Sequence, residues 1–184
     1  MKAPVRCGSG EHGMDEIITL DYGSGGKKTS RLIEEYILPG FSNPALDELG
    51  DGALIPGSDM LAFSTDSFVV DPIFFPGGDI GRLAVCGTVN DVATSGAKPL
   101  ALSVGFILEE GFGIDELRRI CESVAAAANE AGVRVVTGDT KVVNRGHGDG
   151  VFINTSGIGL LADGIDLSGA NCCPGDKVID RKSV

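Results

Sequence analysis

The chain has 184 residues, enough for one domain built on a single core. Its 15 Lys and Arg stand against 26 Asp and Glu, a formal net charge of −11 that disfavours non-specific nucleic-acid binding, and with no Trp and two Tyr it offers little stacking surface for bases. Hydrophobic residues make up 42%, but no run approaches the ~18 apolar residues of a membrane span, and the leader (residues 1–15) lacks the apolar stretch of a secretory signal. A cytoplasmic protein that binds neither membrane nor nucleic acid is expected.

After the leader, residues 16–21 (EIITLD) read as a short strand. Residues 22–26 (YGSGG) read as irregular, since three glycines in five positions cannot hold a regular element. From residue 28 to 38 the apolar positions Leu32, Ile33, Tyr36 and Ile37 recur at helical spacing until Pro39 and Gly40 stop them. Two short strands follow at 52–55 and 60–65, separated by a Pro-Gly-Ser-Asp turn, and then an apolar stretch at 67–75 broken by Pro72. Residues 79–95 read as a buried helix capped by Asp79 and ended by Gly96; its Ala, Gly and Val content permits close packing on a sheet.

Residues 100–108 form a long apolar strand, and 114–131 the clearest amphipathic helix, with Asp115 and Glu116 near its start and Gly132 just past its end. A buried strand at 133–137, a polar glycine-rich loop at 142–150, a strand at 151–161 and the beginning of another at 177–179 complete the pattern. This order predicts an α+β domain over residues 16–179: a mixed or largely antiparallel sheet with helices on one face.

Five cysteines (Cys7, Cys86, Cys121, Cys172 and Cys173) form no C-x-x-C pair, so neither a disulfide framework nor a zinc site is indicated. Cys86 and Cys121 read as small core residues. Cys172 and Cys173 lie in a turn-like stretch before Pro174 and have no assigned role.

Four aspartates stand where apolar patterns end: Asp51 (LGDGA), Asp66 (STDSF), Asp91 (VNDVA) and Asp139 (TGDTK). Each alone also reads as a cap or turn residue. Gathered at one rim of a sheet they would repel unless cations held them, and Mg²⁺ takes one or two carboxylates together with phosphate oxygens. Asp91 carries most weight, because it falls inside the apolar run 83–97, where an unpaired charge would cost several kcal/mol. The segment Gly23-Ser24-Gly25-Gly26-Lys27 combines flexible backbone N–H groups, a hydroxyl and a cation; it does not satisfy the P-loop pattern, and it also reads as a plain flexible loop. Gly77-Gly78-Asp79 at a helix start reads either as an anion-friendly terminus or as a simple cap. Lys141, directly after Asp139 and Thr140, is the better candidate for charge or proton transfer, with His147 a weaker one.

Together these strings resemble a known family. DYGSGG, LGDGA, the long run from STDSF through FFPGGDIG and NDVATSGA to FILEEG, VVTGDTKVV and FINTSGIG are similar to HypE, the hydrogenase maturation factor of the superfamily that includes aminoimidazole ribonucleotide synthetase (PurM) and selenophosphate synthetase. The resemblance implies a PurM-like ATP-binding domain that forms a homodimer. It implies Mg²⁺ on Asp51, Asp66, Asp91 and Asp139, and ATP contacts from residues 23–27, Asn90 and Thr140. The reaction implied is ATP-dependent dehydration of an S-carboxamide on a C-terminal cysteine to a thiocyanate, the cyanide source for the iron of nickel-iron hydrogenases. Partners implied are a HypF-like carbamoyltransferase and a HypC–HypD-like scaffold.

The family pattern stops after GDKVI; residues 180–184 do not extend it, and no cysteine occupies the family's C-terminal acceptor position. The chain is therefore expected to be an N-terminal part that keeps dimerisation and partial nucleotide binding. Two alternatives stand beside this: a catalytically inactive nucleotide-binding module, and another ATP-dependent synthetase or kinase of the superfamily. Selenophosphate synthetase fits less well, because the glycine loop carries Ser24 and no cysteine.

Overall fold

The computed structural model describes residues 17–47, 55, 57, 59–167, 169–177 and 179. The leader, Cys7, Asp51, the terminal residues 180–184 and all but Ile55 of the expected strand 52–55 lie outside them.

The sheet has four strands: β1 (Leu61–Phe68), β4 (Lys98–Glu109), β5 (Arg134–Val143) and β6 (Val151–Leu160), in the order β1-β6-β4-β5. β6 runs antiparallel to both β1 and β4, and β4 runs parallel to β5. A two-stranded ribbon of β2 (Phe74–Phe75) and β3 (Gly78–Asp79) leads into α2 (Ile80–Thr94). α2 and α3 (Ile114–Ala131) pack on each other and on one face of the sheet, which is the α+β arrangement that the element order implies.

The helix signals act as their chemistry requires. Asp79 accepts from the N–H groups of Gly81 and Arg82 at 2.8 and 3.0 Å, which satisfies two orphan donors of α2. The anion-friendly reading of Gly77-Gly78-Asp79 gives way to the cap, because the aspartate's own carboxylate takes those donors. α3 ends on Gly132 at φ 69°, the left-handed conformation that glycine adopts without a Cβ penalty.

Four expectations are corrected. Of the strand expected at 16–21, the described residues 17–21 form none: Ile18 is clipped at one point, its N–H to Phe112 O and its carbonyl to Gly111 N–H, and the chain then turns as a 3₁₀ helix at Leu20–Gly23. The helix expected at 28–38 is α1 (Lys27–Leu32) followed by a π-helical turn at Ile33–Ile37 and a 3₁₀ turn at Leu38–Gly40. Pro39 accounts for this, since a proline lacks the N–H and its ring crowds the carbonyl four residues back. β5 runs to Val143, six residues beyond its expected end. Parallel pairing with β4 holds the polar TGDTK extended, and Gly138 lies so near Val104 O that a Cβ there would collide with it. Lys177 and Ile179 form no strand.

The core between sheet and helices contains Leu102, Leu108 and Ile153 from the strands and Ile80, Val85, Leu117, Ile120 and Val124 from the helices, all essentially buried. Each contributes about 1.5–3 kcal/mol by leaving water. α2 comes close to the sheet because Gly157 and Gly159 face it: a Cβ at Gly157 would stand 2.8 Å from Thr88 Cγ2, and one at Gly159 would strike Val92. Between them Thr88 and Thr155, both fully buried, share a hydroxyl–hydroxyl hydrogen bond, and Thr155 Oγ1 donates to Ala84 O at 3.3 Å. Cys121 is buried and its thiol is pushed up to about 12 by burial, which suits an inert core residue; Cys86 is half-buried.

β1 alternates strictly. Ala62, Ser64, Asp66 and Phe68 face α2, whereas Leu61, Phe63, Thr65 and Ser67 face away and are exposed, Phe63 at 67%.

Candidate functional site

A cleft of about 430 Å³ opens between the α1 region and the β4–β5 edge. Its floor is apolar, from Ile33, Ile37, Phe41, Val104, Phe106 and Val135, and its mouth is polar. Gly23 and Gly25 reach the mouth from one side; Asp139, Thr140 and Lys141 reach it from β5. A concave, mostly apolar space with a few convergent polar groups is the usual form of a small-molecule site.

The glycine segment reaches this place for local reasons. Gly23 lies against Val142 so closely that a Cβ would meet Val142 Cβ at 2.9 Å. Gly25 has φ 77° and its N–H donates to Thr29 Oγ1 at 3.0 Å, which folds the segment back onto α1. Ser24 Oγ donates to Asp21 O at 2.8 Å, Gly26 precedes α1 in extended conformation, and Lys27 is exposed at the first helical position. Lys28 Nζ pairs with Asp21 Oδ2 at 2.9 Å in the open. On the facing strand, the Asp139 carboxylate accepts from the N–H of Thr140 at 2.8 Å, while Asp139 and Lys141 are exposed and Thr140 half-buried.

The structure does not bring Asp66, Asp91 and Asp139 together. Asp91 is exposed, not enclosed: the buried stripe of α2 runs through Ile80, Ala84, Val85, Thr88 and Val92, and Asp91 falls beside it, accepting from Ser64 Oγ at 3.2 Å. Its neighbour Asn90 is exposed too. The apolar composition of residues 83–97 concealed this outer face, because Leu83 is also exposed. Asp66, half-buried, shares the β1–α2 face with Asp91 and borders the space over Gly87, one helical turn before it.

Asp139 lies on β5, the other edge of the sheet, three strand spacings from β1 and so about 14 Å away. Among the described residues no three His, Cys, Asp or Glu side chains are close enough to hold a metal ion. Among the described residues, Asp66 and Asp91 supply the one or two carboxylates that Mg²⁺ takes alongside phosphate oxygens, and Asp139, at the opposite edge of the sheet, does not join them. Asp51 lies outside the described residues. His147 is exposed in the β5–β6 loop and is not among the residues lining the cleft.

Sequence reasoning missed three contributors. Thr29 looked like an ordinary helix residue, although a hydroxyl four positions after a glycine is a recognisable turn partner. Asn43, whose Nδ2 donates to both Phe41 O and Val135 O at 2.8 Å, ties the cover of the cleft to β5 and carries no local sequence signal. Glu109 accepts from two amides of the β5–β6 loop.

Comparison with known proteins identifies the family. The family model for the N-terminal domain of AIR synthase related proteins matches residues 49–161. Carbamoyl dehydratase HypE of Azotobacter vinelandii is 54% identical over 170 residues, covering 91% of this chain and 49% of the relative. A crystal structure of the hydrogenase maturation protein HypE in complex with ATP superposes with a TM-score of 0.77 at 59% identity, over 78% of this chain and 43% of that one. One of a HypE–HypF complex gives a TM-score of 0.57 at 55% identity, over 73% of this chain and 44% of that one. The chain thus spans about half the length of the curated relatives it matches. On fold, matched span and identity together, it belongs to the AIR synthase related family, as an N-terminal PurM-like domain of the HypE kind.

Proposed function

We propose that this chain is the nucleotide-binding part of a carbamoyl dehydratase acting in hydrogenase maturation. The observation that carries the reading is the shared cleft, in which Gly23 and Gly25 meet Asp139, Thr140 and Lys141. Residues 23–27, Thr140 and Lys141 bind the phosphates, with Lys27 and Lys141 placing positive charge in a chain of net −11, and Asp139 meets the phosphates through Mg²⁺. Asp66 and Asp91, with Asn90 beside them and Asp51 from outside the described residues, hold Mg²⁺ jointly with phosphate oxygens. The separation of Asp139 from that pair is consistent with a homodimer whose second copy completes the site. Exposed Leu61, Phe63 and Ile107 supply apolar area for such pairing.

The chemistry asked of the site is removal of the carboxamide oxygen, a poor leaving group. Bound Mg-ATP supplies the phosphoryl group that makes that oxygen leave as phosphate while the amide protons depart and the nitrile forms. Lys141 steadies charge on the transferring group, and His147 is a weaker candidate for proton transfer. Association with a HypF-like carbamoyltransferase and a HypC–HypD-like scaffold belongs to the same reading, supported for HypF by the complex of the similar protein. Among the described residues no helix is long and apolar enough to cross a membrane.

Lys141→Ala in a full-length relative tests the assignment: phosphate release should be abolished while ATP binding is spared, and unaltered turnover would refute it. For this chain, titration with Mg-ATP followed by a phosphate-release assay separates binding from turnover.

A further inference from the structure

The loop joining β5 to β6, residues 144–150 (NRGHGDG), has little of its own to order it beyond one turn bond, His147 N–H to Asn144 O at 3.1 Å. Three of its seven residues are glycine, and none is buried. It is nonetheless closed by a single side chain from another strand. Glu109, the last residue of β4, accepts from the N–H of Gly146 through Oε1 and from the N–H of Gly150 through Oε2, the latter at 3.0 Å. The backbone of the same region adds Glu109 N–H to Gly150 O at 2.8 Å and Glu110 N–H to Val143 O at 2.9 Å.

Arg145 is accommodated because residue 111 is glycine, at φ 103°: a Cβ there would stand 2.6 Å from an Arg145 guanidinium nitrogen. Charge agrees with geometry. The two amides, and after them Arg145 and His147, hold the Glu109 carboxyl below its ordinary value.

We infer that Glu109 is a positioning residue whose carboxylate, by spanning two loop amides four residues apart, fixes the 144–150 loop and with it the exit of β5, the strand that brings Asp139, Thr140 and Lys141 to the cleft. The link to nucleotide rests on the function proposed above; the fixing of the loop does not. An Asp is one methylene shorter, so its carboxylate falls short of the two amides that Glu109 reaches. A Gln keeps one acceptor oxygen and turns an N–H₂ toward the second amide, so it makes at most one of the two bonds.

The experiment compares wild type, Glu109→Gln and Glu109→Ala of this chain, reading amide hydrogen exchange at Gly146 and Gly150 and Mg-ATP affinity. Exchange at both amides should accelerate at least about tenfold in Glu109→Ala, and at one of them in Glu109→Gln, while core amides of Val104 and Ile153 keep their protection. Mg-ATP affinity should fall several-fold in parallel, with the Gln variant intermediate. Unchanged exchange at Gly146 and Gly150 overturns the inference outright. A loosened loop with unchanged affinity overturns the link to the cleft. If wild type binds no nucleotide, the function proposed above fails while the exchange measurement still decides the role of Glu109.

Discussion

The two ends of this sheet are built on opposite plans, although the same side of it faces the helices at both. At the β1–β6 end, α2 presses on the strands through Gly157 and Gly159, the Thr88–Thr155 pair satisfies its own polar atoms, and Val85 and Val92 are fully buried. At the β5 end a six-residue α1, a π-helical turn and a 3₁₀ turn cover the strands loosely and leave a cleft of about 430 Å³. Close packing yields stability and no room; irregular cover yields room at the expense of packing. The polar residues of the cleft mouth therefore gather where the helix is weakest.

The sharpest way to break that comparison is to add the same methyl group at both ends. Gly159→Ala drives a Cβ into Val92 Cγ1 and places it 3.0 Å from Ala97 Cβ, so denaturant unfolding should show a loss of about 3 kcal/mol. Gly25→Ala meets nothing within 4 Å and pays only for its positive φ, so the loss there should be about 1 kcal/mol. Equal losses at the two positions would mean that the β5 end is packed as tightly as the other. A smaller effect isolates the cleft: Thr29→Val removes the acceptor for the Gly25 N–H while keeping the side chain's shape. It should weaken Mg-ATP binding by about 1 kcal/mol, roughly fivefold, with little change in unfolding, and calorimetry would read it.

How far the sequence carried this picture depended on how local each signal was. Asp79, Gly132 and the span of α3 were legible because capping and helical periodicity act within a few residues. The separation of Asp66 from Asp139 was not. It follows from the strand order β1-β6-β4-β5, which places the first and third long strands of the chain at opposite edges, and nothing within a motif encodes that order. Asp91 misled for a related reason: its surroundings are apolar in composition, but only the phase of the α2 stripe decides which side faces out. The irregular helix over 27–40 was half legible, since Pro39 marked where it must end and not how the turn before it would widen.

The smallest predicted effect concerns pH and the loop that Glu109 closes. Because its two amide partners, with Arg145 and His147, set the folded carboxyl below the ordinary value of 4.5, the ionised form is favoured by folding. Its contribution is fully present above the unfolded value and is lost as pH falls through the lower folded value. The carboxylate is open to solvent, so global unfolding should register little of this. The local reading is the sensitive one: protection of the Gly146 and Gly150 amides in wild type should hold from neutrality to about pH 5 and decline below the ordinary carboxylate range, after correction for intrinsic exchange. Glu109→Gln should give a profile flat over the same window. A wild-type profile equally flat would mean that the backbone bonds of Glu109 and Glu110 alone order the loop.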